Sequence, residues 1–224
     1  MDNEQAKSIP LAHIQPVPFE ETITEGSSLT VEDVTVINHR GIINYLHRNG
    51  IHYKVARQHA RQVRVFNSAK RRSFLAVGMR NEDNGWEILN PYYSGSIGKR
   101  NISFVRGVDM KRETIHLFKD TMSFLSAVMQ NKKGHPLEGD ALIVNSLSIL
   151  PLAAPYIRGY GYKRAFTWMD NTEAGRLATL ALRDLFKAEG RLEHLPMNFL
   201  YASHEDVNTW HRAKLGLIAT PEGK

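Results

Sequence analysis

Trp168-Met169-Asp170-Asn171-Thr172-Glu173-Ala174-Gly175-Arg176 is the stretch that decides how this chain is read. The apolar segment Ala165 to Met169 reads as a buried strand. Behind it Ala174, Leu177, Ala178, Ala181, Leu182 and Leu185 repeat at helical spacing, with Gly190 as the stop. Asp170 is thereby placed at the carboxyl end of a strand where a helix begins, the edge at which open α/β sheets bind ligands. A carboxylate there suits a divalent cation held beside phosphates. The residue two positions on, where a second metal-binding acid would complete the site, is Thr172. Capping of the following helix is the other use for Asp170.

Outward from this point, the second half of the chain alternates strand and helix as a parallel sheet requires. Thr114 to Phe118 reads as a strand, with Met122, Leu125 and Met129 on the inner face of the next helix. Ala141 to Val144 is a second strand, followed by Asn145-Ser146 and an apolar helical stretch ending near Pro155. Met197 to Leu200 is the fourth strand, and Asp206 to Lys214 closes as a helix. The expected class is α/β: a parallel sheet of about four strands flanked by helices over residues 112–215, with a C-terminal tail at 216–224.

The first half differs in charge. Residues 1–35 carry seven acids and one lysine, and three prolines at 10, 16 and 18 break any period, so they read as an acidic flexible segment. Residues 36–112 carry fifteen Lys or Arg against four acids, although the whole chain is only +6. A basic block of this kind is the electrostatic footprint of a polyanion site. Val34 to Gly50 shows helical periodicity, with Asn38 as cap and Asn49-Gly50 as stop. Lys54, Arg57, Arg61, Arg64, Lys70, Arg71 and Arg72 follow, the first three on one helical face, interleaved with Tyr53, Val63, Val65 and Phe66. Phe74 to Met79 and Trp86 to Leu89 read as strands joined by a turn, and Tyr92 to Arg100 as a glycine-spaced loop that adds Lys99 and Arg100. A smaller basic α+β subdomain over 36–111 is therefore expected ahead of the parallel sheet.

Composition excludes several classes. Zero cysteines remove disulfides, thiolate metal sites and cysteine nucleophiles. No run of about 18 apolar residues is present and the N-terminus lacks a signal-peptide pattern, so a cytoplasmic protein without membrane association is expected. The ten histidines include no pair at helical ligand spacing and read as surface or phosphate-facing. Ser146 and Ser148 have no histidine at a recognisable spacing.

In this order and at these spacings the motifs resemble the Toprim domain of bacterial DnaG-type primases and their relatives on mobile elements. Asn81 to Glu87 and Asn90 to Gly98 are similar to the basic N-terminal half of the primase polymerase core. Asn145-Ser146-Leu147-Ser148, Asp170 to Arg176 and Asp206-Val207-Asn208 are similar to Toprim itself. The resemblance implies a glutamate after the first strand and an Asp-x-Asp pair after the third, which hold the divalent metals for phosphoryl transfer. Here Lys119 takes the glutamate position, Asp170 keeps the first aspartate and Thr172 replaces the second, while Asp206 is a further residual acid. Asp170 alone would hold Mg²⁺ weakly, and a lysine about 4 Å from a cation opposes it by roughly 4 kcal/mol per unit of cation charge at an effective dielectric near 20. Lys119 is instead expected to pair with Asp170 in the metal's place.

The leading expectation is a primase-like protein that binds single-stranded DNA or RNA through Lys54, Arg57, Arg61, Arg64, Lys70, Arg71, Arg72, Lys99 and Arg100 without phosphodiester synthesis. By resemblance it would serve replication or transfer of a mobile element, and its expected partners are a helicase or a separate zinc-binding primase component. One alternative is an active primase or nuclease whose metal site is rebuilt from Asp120, Asp170, Glu173 and Asp206. Another is a protein-interaction subunit that binds no nucleic acid.

Overall fold

The computed structural model describes residues 28–107, 113–131, 137–190 and 192–219. The acidic stretch up to residue 27, the junction at 108–112 and the end of the expected tail lie outside these residues. Two five-stranded sheets are present. The first is an antiparallel meander of β1 (Leu29–Thr35), β2 (Arg61–Asn67), β3 (Arg72–Arg80), β4 (Trp86–Asn90) and β5 (Tyr93–Ile97). The second has the order β10-β9-β7-β8-β6, with β6 (Ser103–Val105), β7 (Thr114–Phe118), β8 (Asp140–Ile143), β9 (Arg164–Trp168) and β10 (Glu193–Pro196). Four of these strands run parallel, and β6 joins β8 antiparallel at one edge. The architecture is α/β and Toprim-like, preceded by an antiparallel module.

Helices α1 (Arg40–Arg48), α2 (Tyr53–His59), α3 (Thr121–Gln130) and α6 (Val207–Lys214) contribute to one core shared by both sheets. Ile42, Leu46 and Ala56 meet Val77 and Met79 of β3, together with Phe124, Leu125, Phe118, Ile143, Trp168 and Val207. The opposite face of the parallel sheet, with Ile115, Leu117, Leu142 and Ala165, packs on Ala178, Leu182 and Phe186 of α5 (Glu173–Ala188) and on Ile157 of α4 (Ala154–Ile157). All five residues of β7 are buried, as a central parallel strand covered on both faces requires. A third cluster, Leu29, Val63, Val65, Ala76, Ile88 and Ile97, fills the other face of the meander.

Several expectations are corrected. Residues 29–35, placed in the acidic segment and at the start of a helix, form strand β1, because pairing with β2 supplies their hydrogen bonds despite Glu32 and Asp33. Helix α1 starts later and is capped by His39, not Asn38. Arg61 is not on α2 but opens β2. The glycine-spaced loop after Asn90 contains strand β5, in which the Tyr93 side chain lies over Gly95. The stretch after Ser146 is a 3-10 helix over Leu147–Ala153 followed by α4, with Pro151 inside the 3-10 turn. The fourth parallel strand is Glu193–Pro196, while Met197–Tyr201 is a 3-10 helix; Pro196 is compatible with this strand because β10 is an edge. On α5 the buried face is Gly175, Ala178, Leu182 and Phe186, which leaves Leu177 at 60% exposure.

Candidate functional site

Lys119 and Asp120 follow β7, Asp170 to Thr172 follow β9, and Asp206 precedes α6, so the carboxyl edge of the sheet gathers residues from three separate loops. Lys119 Nζ donates to Asp170 Oδ2 and forms an ion pair with it. The Asp170 side chain is 5% exposed and that of Lys119 38%, so the carboxylate is buried beneath its cation. Burial pushes the Asp170 carboxyl up to about 6, against the pull of Lys119; Asp120 and Asp206 add to the push. For Lys119, burial acts downward, but the hydrogen bond and charge of Asp170, with the charges of Asp120 and Asp206, hold the ammonium above its ordinary range. Both partners are therefore charged at neutral pH.

Each neighbouring acid gives one oxygen to a helix cap. Asp120 Oδ1 accepts from Ser123 N at 2.8 Å and caps α3. Asp206 Oδ1 accepts from Thr209 N at 2.6 Å and caps α6. Thr172, not Asp170, caps α5, its hydroxyl accepting from Gly175 N at 3.2 Å. Gly175 is fixed by close approach: a Cβ there would lie 2.2 Å from the Asp170 carbonyl oxygen. Among the described residues no three His, Asp or Glu side chains converge as a metal set. The donors present do not fit Mg²⁺, because an ammonium group already holds the buried carboxylate and the remaining acids serve as helix caps.

Three residues that sequence reasoning missed lock the Asp170 loop. Asn171 Nδ2 donates to Tyr201 O at 2.8 Å and His204 O at 2.7 Å. Asn198 Nδ2 donates to Met169 O at 2.8 Å and to Asn171 Oδ1 at 3.0 Å. The Tyr201 hydroxyl donates to Met169 O at 2.9 Å, and burial, then Asp170 and Asp206, push its pKa well above the usual range, so it stays protonated. Asparagines within a turn-rich stretch are the only sequence signal for this network. The histidine expectation also fails in part: His116 and His211 are buried. His116 stacks on Phe166 at 4.8 Å, accepts from Trp168 Nε1 at 3.2 Å, and is lowered by burial to about 4. His211 bonds Gly50 O at 3.0 Å and Gln130 at 2.5 Å, and Asn208 Nδ2 donates to Asn49 O at 3.0 Å, so α6 clamps the turn after α1.

The nine expected nucleic-acid contacts do not form one class. Arg57 Nε donates to Ile37 O at 2.6 Å, with its guanidinium 4.6 Å from the Tyr53 ring centroid. Arg61 Nη1 donates to Arg57 O and Ala60 O at 2.8 and 2.9 Å. Lys99 pairs with Asp83 at 2.9 Å, and Arg100 Nε donates to Ser96 Oγ at 2.7 Å beside the buried Glu87. These four hold the module together. Lys54, Arg64, Lys70, Arg71 and Arg72 are exposed and, among the described residues, form no ion pair. Trp86 packs against the third core cluster under the guanidinium of Arg80, 5.0 Å from its ring centroid.

Residues 31–98, which run from β1 into β5, match a family described as a domain of unknown function (DUF8464). That span contains none of the pocket residues. The fold is similar to the crystal structure of the primase fragment of the bacteriophage T7 primase-helicase protein, with a TM-score of 0.54, 11% identity, and coverage of 84% of this chain and 79% of that one. At that identity the likeness is one of fold. No curated protein matches this chain. Among the described residues no helix is long and apolar enough to cross a membrane.

Proposed function

We propose that this chain is a primase-like nucleic-acid-binding protein whose Toprim-type pocket is closed by its own lysine, so that it holds single-stranded DNA or RNA without making phosphodiester bonds. The observation that carries the reading is the Lys119 ammonium on the buried Asp170 carboxylate. Two-metal phosphoryl transfer stabilises attacking and leaving oxygens with divalent charge, and a single monovalent cation fixed on the protein supplies neither metal nor an open coordination position. The basic excess of the first half supports polyanion binding, through the exposed cations that form no ion pair among the described residues. A role in replication or transfer of a mobile element, beside a helicase or a separate zinc-binding component, accords with the primase-like fold.

The test has two arms. Pure protein incubated with Mg²⁺ or Mn²⁺, nucleoside triphosphates and single-stranded template is expected to yield no product, whereas oligonucleotide affinity is expected to fall steeply as salt rises. A product that disappears in Asp170→Asn would establish the active-enzyme reading instead. Failure to retain any oligonucleotide at low salt would leave the protein-interaction reading.

A further inference from the structure

The connection between β2 and β3 has features that the pocket does not explain. Ser68-Ala69-Lys70-Arg71 links the strands, and its backbone is held from several sides. Asn67 Oδ1 accepts from Lys70 N at 2.9 Å, Ser68 O accepts from Arg71 N at 3.3 Å, and Ser68 N donates to Ser28 O at 2.7 Å. Arg71 has a φ of +48°, in the left-handed region where a Cβ is disfavoured and hairpins place Gly or Asn. An arginine held in that conformation points to use of its side chain, since it does not help the turn. Lys70, Arg71 and Arg72 are all exposed, and residues 67–73 contain no acid and nothing apolar larger than Ala69.

Deepening the nucleic-acid reading above, on which this rests, we infer that the hairpin tip is a separate phosphate-backbone contact remote from the pocket. Strand β3 carries the distance. It runs nine residues from Arg72 to Arg80, about 27 Å at roughly 3.3 Å per residue. Its far end adjoins the pocket, because Thr121, next to Asp120, donates to Met79 Sδ at 3.7 Å. At about 3.4 Å per step along a duplex strand, a nucleic acid must extend about eight steps to engage both ends. Residues 67–73 present no aromatic ring, so the contact reads phosphates and not bases, and arginine's planar fork matches a phosphate in two-point geometry. An anionic bilayer would favour apolar side chains beside the cations, and the tip has none.

The experiment uses the full chain, fluorescein-labelled single strands and duplexes of about 5 and about 20 nucleotides per strand, and a potassium chloride series. Two variants are compared with the wild type: Arg71→Gly, and the triple Lys70→Ser, Arg71→Gly, Arg72→Ser. The wild type is expected to bind the long probe about tenfold or more tightly than the short one. The triple variant is expected to lose this increment on single strands, duplexes or both, with the slope of log affinity against log salt reduced by about 2 to 3. Arg71→Gly should weaken long-probe binding while its melting temperature stays equal or rises, which a merely structural arginine would not do. A folded triple variant with wild-type slope and length dependence on both probe types overturns the inference and leaves the general reading standing. No binding of any probe by the wild type overturns both. Stronger capture of phosphatidylserine vesicles than of the long probes, lost in the triple variant, replaces the nucleic acid with a lipid surface and overturns it as well.

Discussion

The two ends of β3 handle charge in opposite ways. Near Arg80, which itself lies over the Trp86 ring, three cations have acidic neighbours: Lys119 holds Asp170, Lys99 holds Asp83, and Arg100 sits against the Ser96–Glu87 pair. At Lys70-Arg71-Arg72 three cations stand exposed on a hairpin without an ion pair among the described residues. An exposed cation keeps its full charge for a mobile polyanion, while a paired one has already spent it on the fold. Counting basic residues along the chain does not separate these roles, although they predict opposite consequences of substitution.

The largest contrast concerns metal. Lys119→Glu combined with Thr172→Asp changes the pocket charge by about three units and keeps a good capping residue for α5. Wild-type protein is expected to show no saturable Mn²⁺ binding by calorimetry, and the double variant is expected to bind the ion. Two tightly bound ions in the wild type would break the comparison at its root.

Loss of the counter-charge comes next. Lys119→Met leaves Asp170 buried without its cation, and partial exposure of the lysine keeps the cost to about 1–3 kcal/mol, below that of a fully buried pair. The sign of the pH dependence follows from the raised carboxyl. Unfolded, Asp170 titrates near 3.8; folded, near 6, so its stabilising proton uptake is complete below the first value and lost above the second. Removing Lys119 raises the folded value further. The variant should therefore lose more melting temperature at pH 8 than at pH 4, and equal losses at both would argue against an ionised pair.

The committed arginines sharpen the comparison from the other side. Arg57→Gln removes a hydrogen bond to Ile37 O and a stacking contact on Tyr53, for about 1–2 kcal/mol of stability. It is expected to leave the salt slope of oligonucleotide binding nearly unchanged, within about one unit. A loss of slope like that of the hairpin variants would place Arg57 on the polyanion surface after all.

The smallest effect tests the connection between the regions. Burial lowers His211 and outweighs the opposing pull of its hydrogen bond to Gly50 O, so it stays neutral in the fold. A lowered histidine contributes stability that is present above about 6.5 and is lost as pH falls through its folded value. Amide protection in the turn after α1, taken relative to the intrinsic exchange rate at each pH, should fall below about pH 6.5 in the wild type, and less so in His211→Gln. A pH-independent turn would remove His211 from the clamp.

Much of the second half was legible from sequence. Thr114 to Phe118 coincides with β7, and the strand before Asp170 lies within one residue of β9, because buried parallel strands are short apolar runs between helices. The Lys119–Asp170 pair was expected through the resemblance to Toprim, which set Lys119 in the place of a metal-binding glutamate, and the ion pair is present. Strands β1, β2, β5 and β6 escaped, since acids, a run of basic residues, glycines and short length hide a strand whose register comes from its neighbour. The capping role expected as an alternative for Asp170 belongs to Thr172, a choice between side chains two residues apart that depends on where the helix axis enters.

By itself the sequence determined which charges exist and in what order: a basic first half, a lone aspartate after a buried strand, a lysine after an earlier one, and no cysteine. Tertiary structure alone decided which charges remain available. Asn198 reaches Met169 O across 29 positions and Lys119 reaches Asp170 across 51, while Lys70 to Arg72 are held at a hairpin tip without a partner of this kind among the described residues. Composition is local to each residue, but neutralisation of a charge depends on what the fold brings within hydrogen-bonding distance of it.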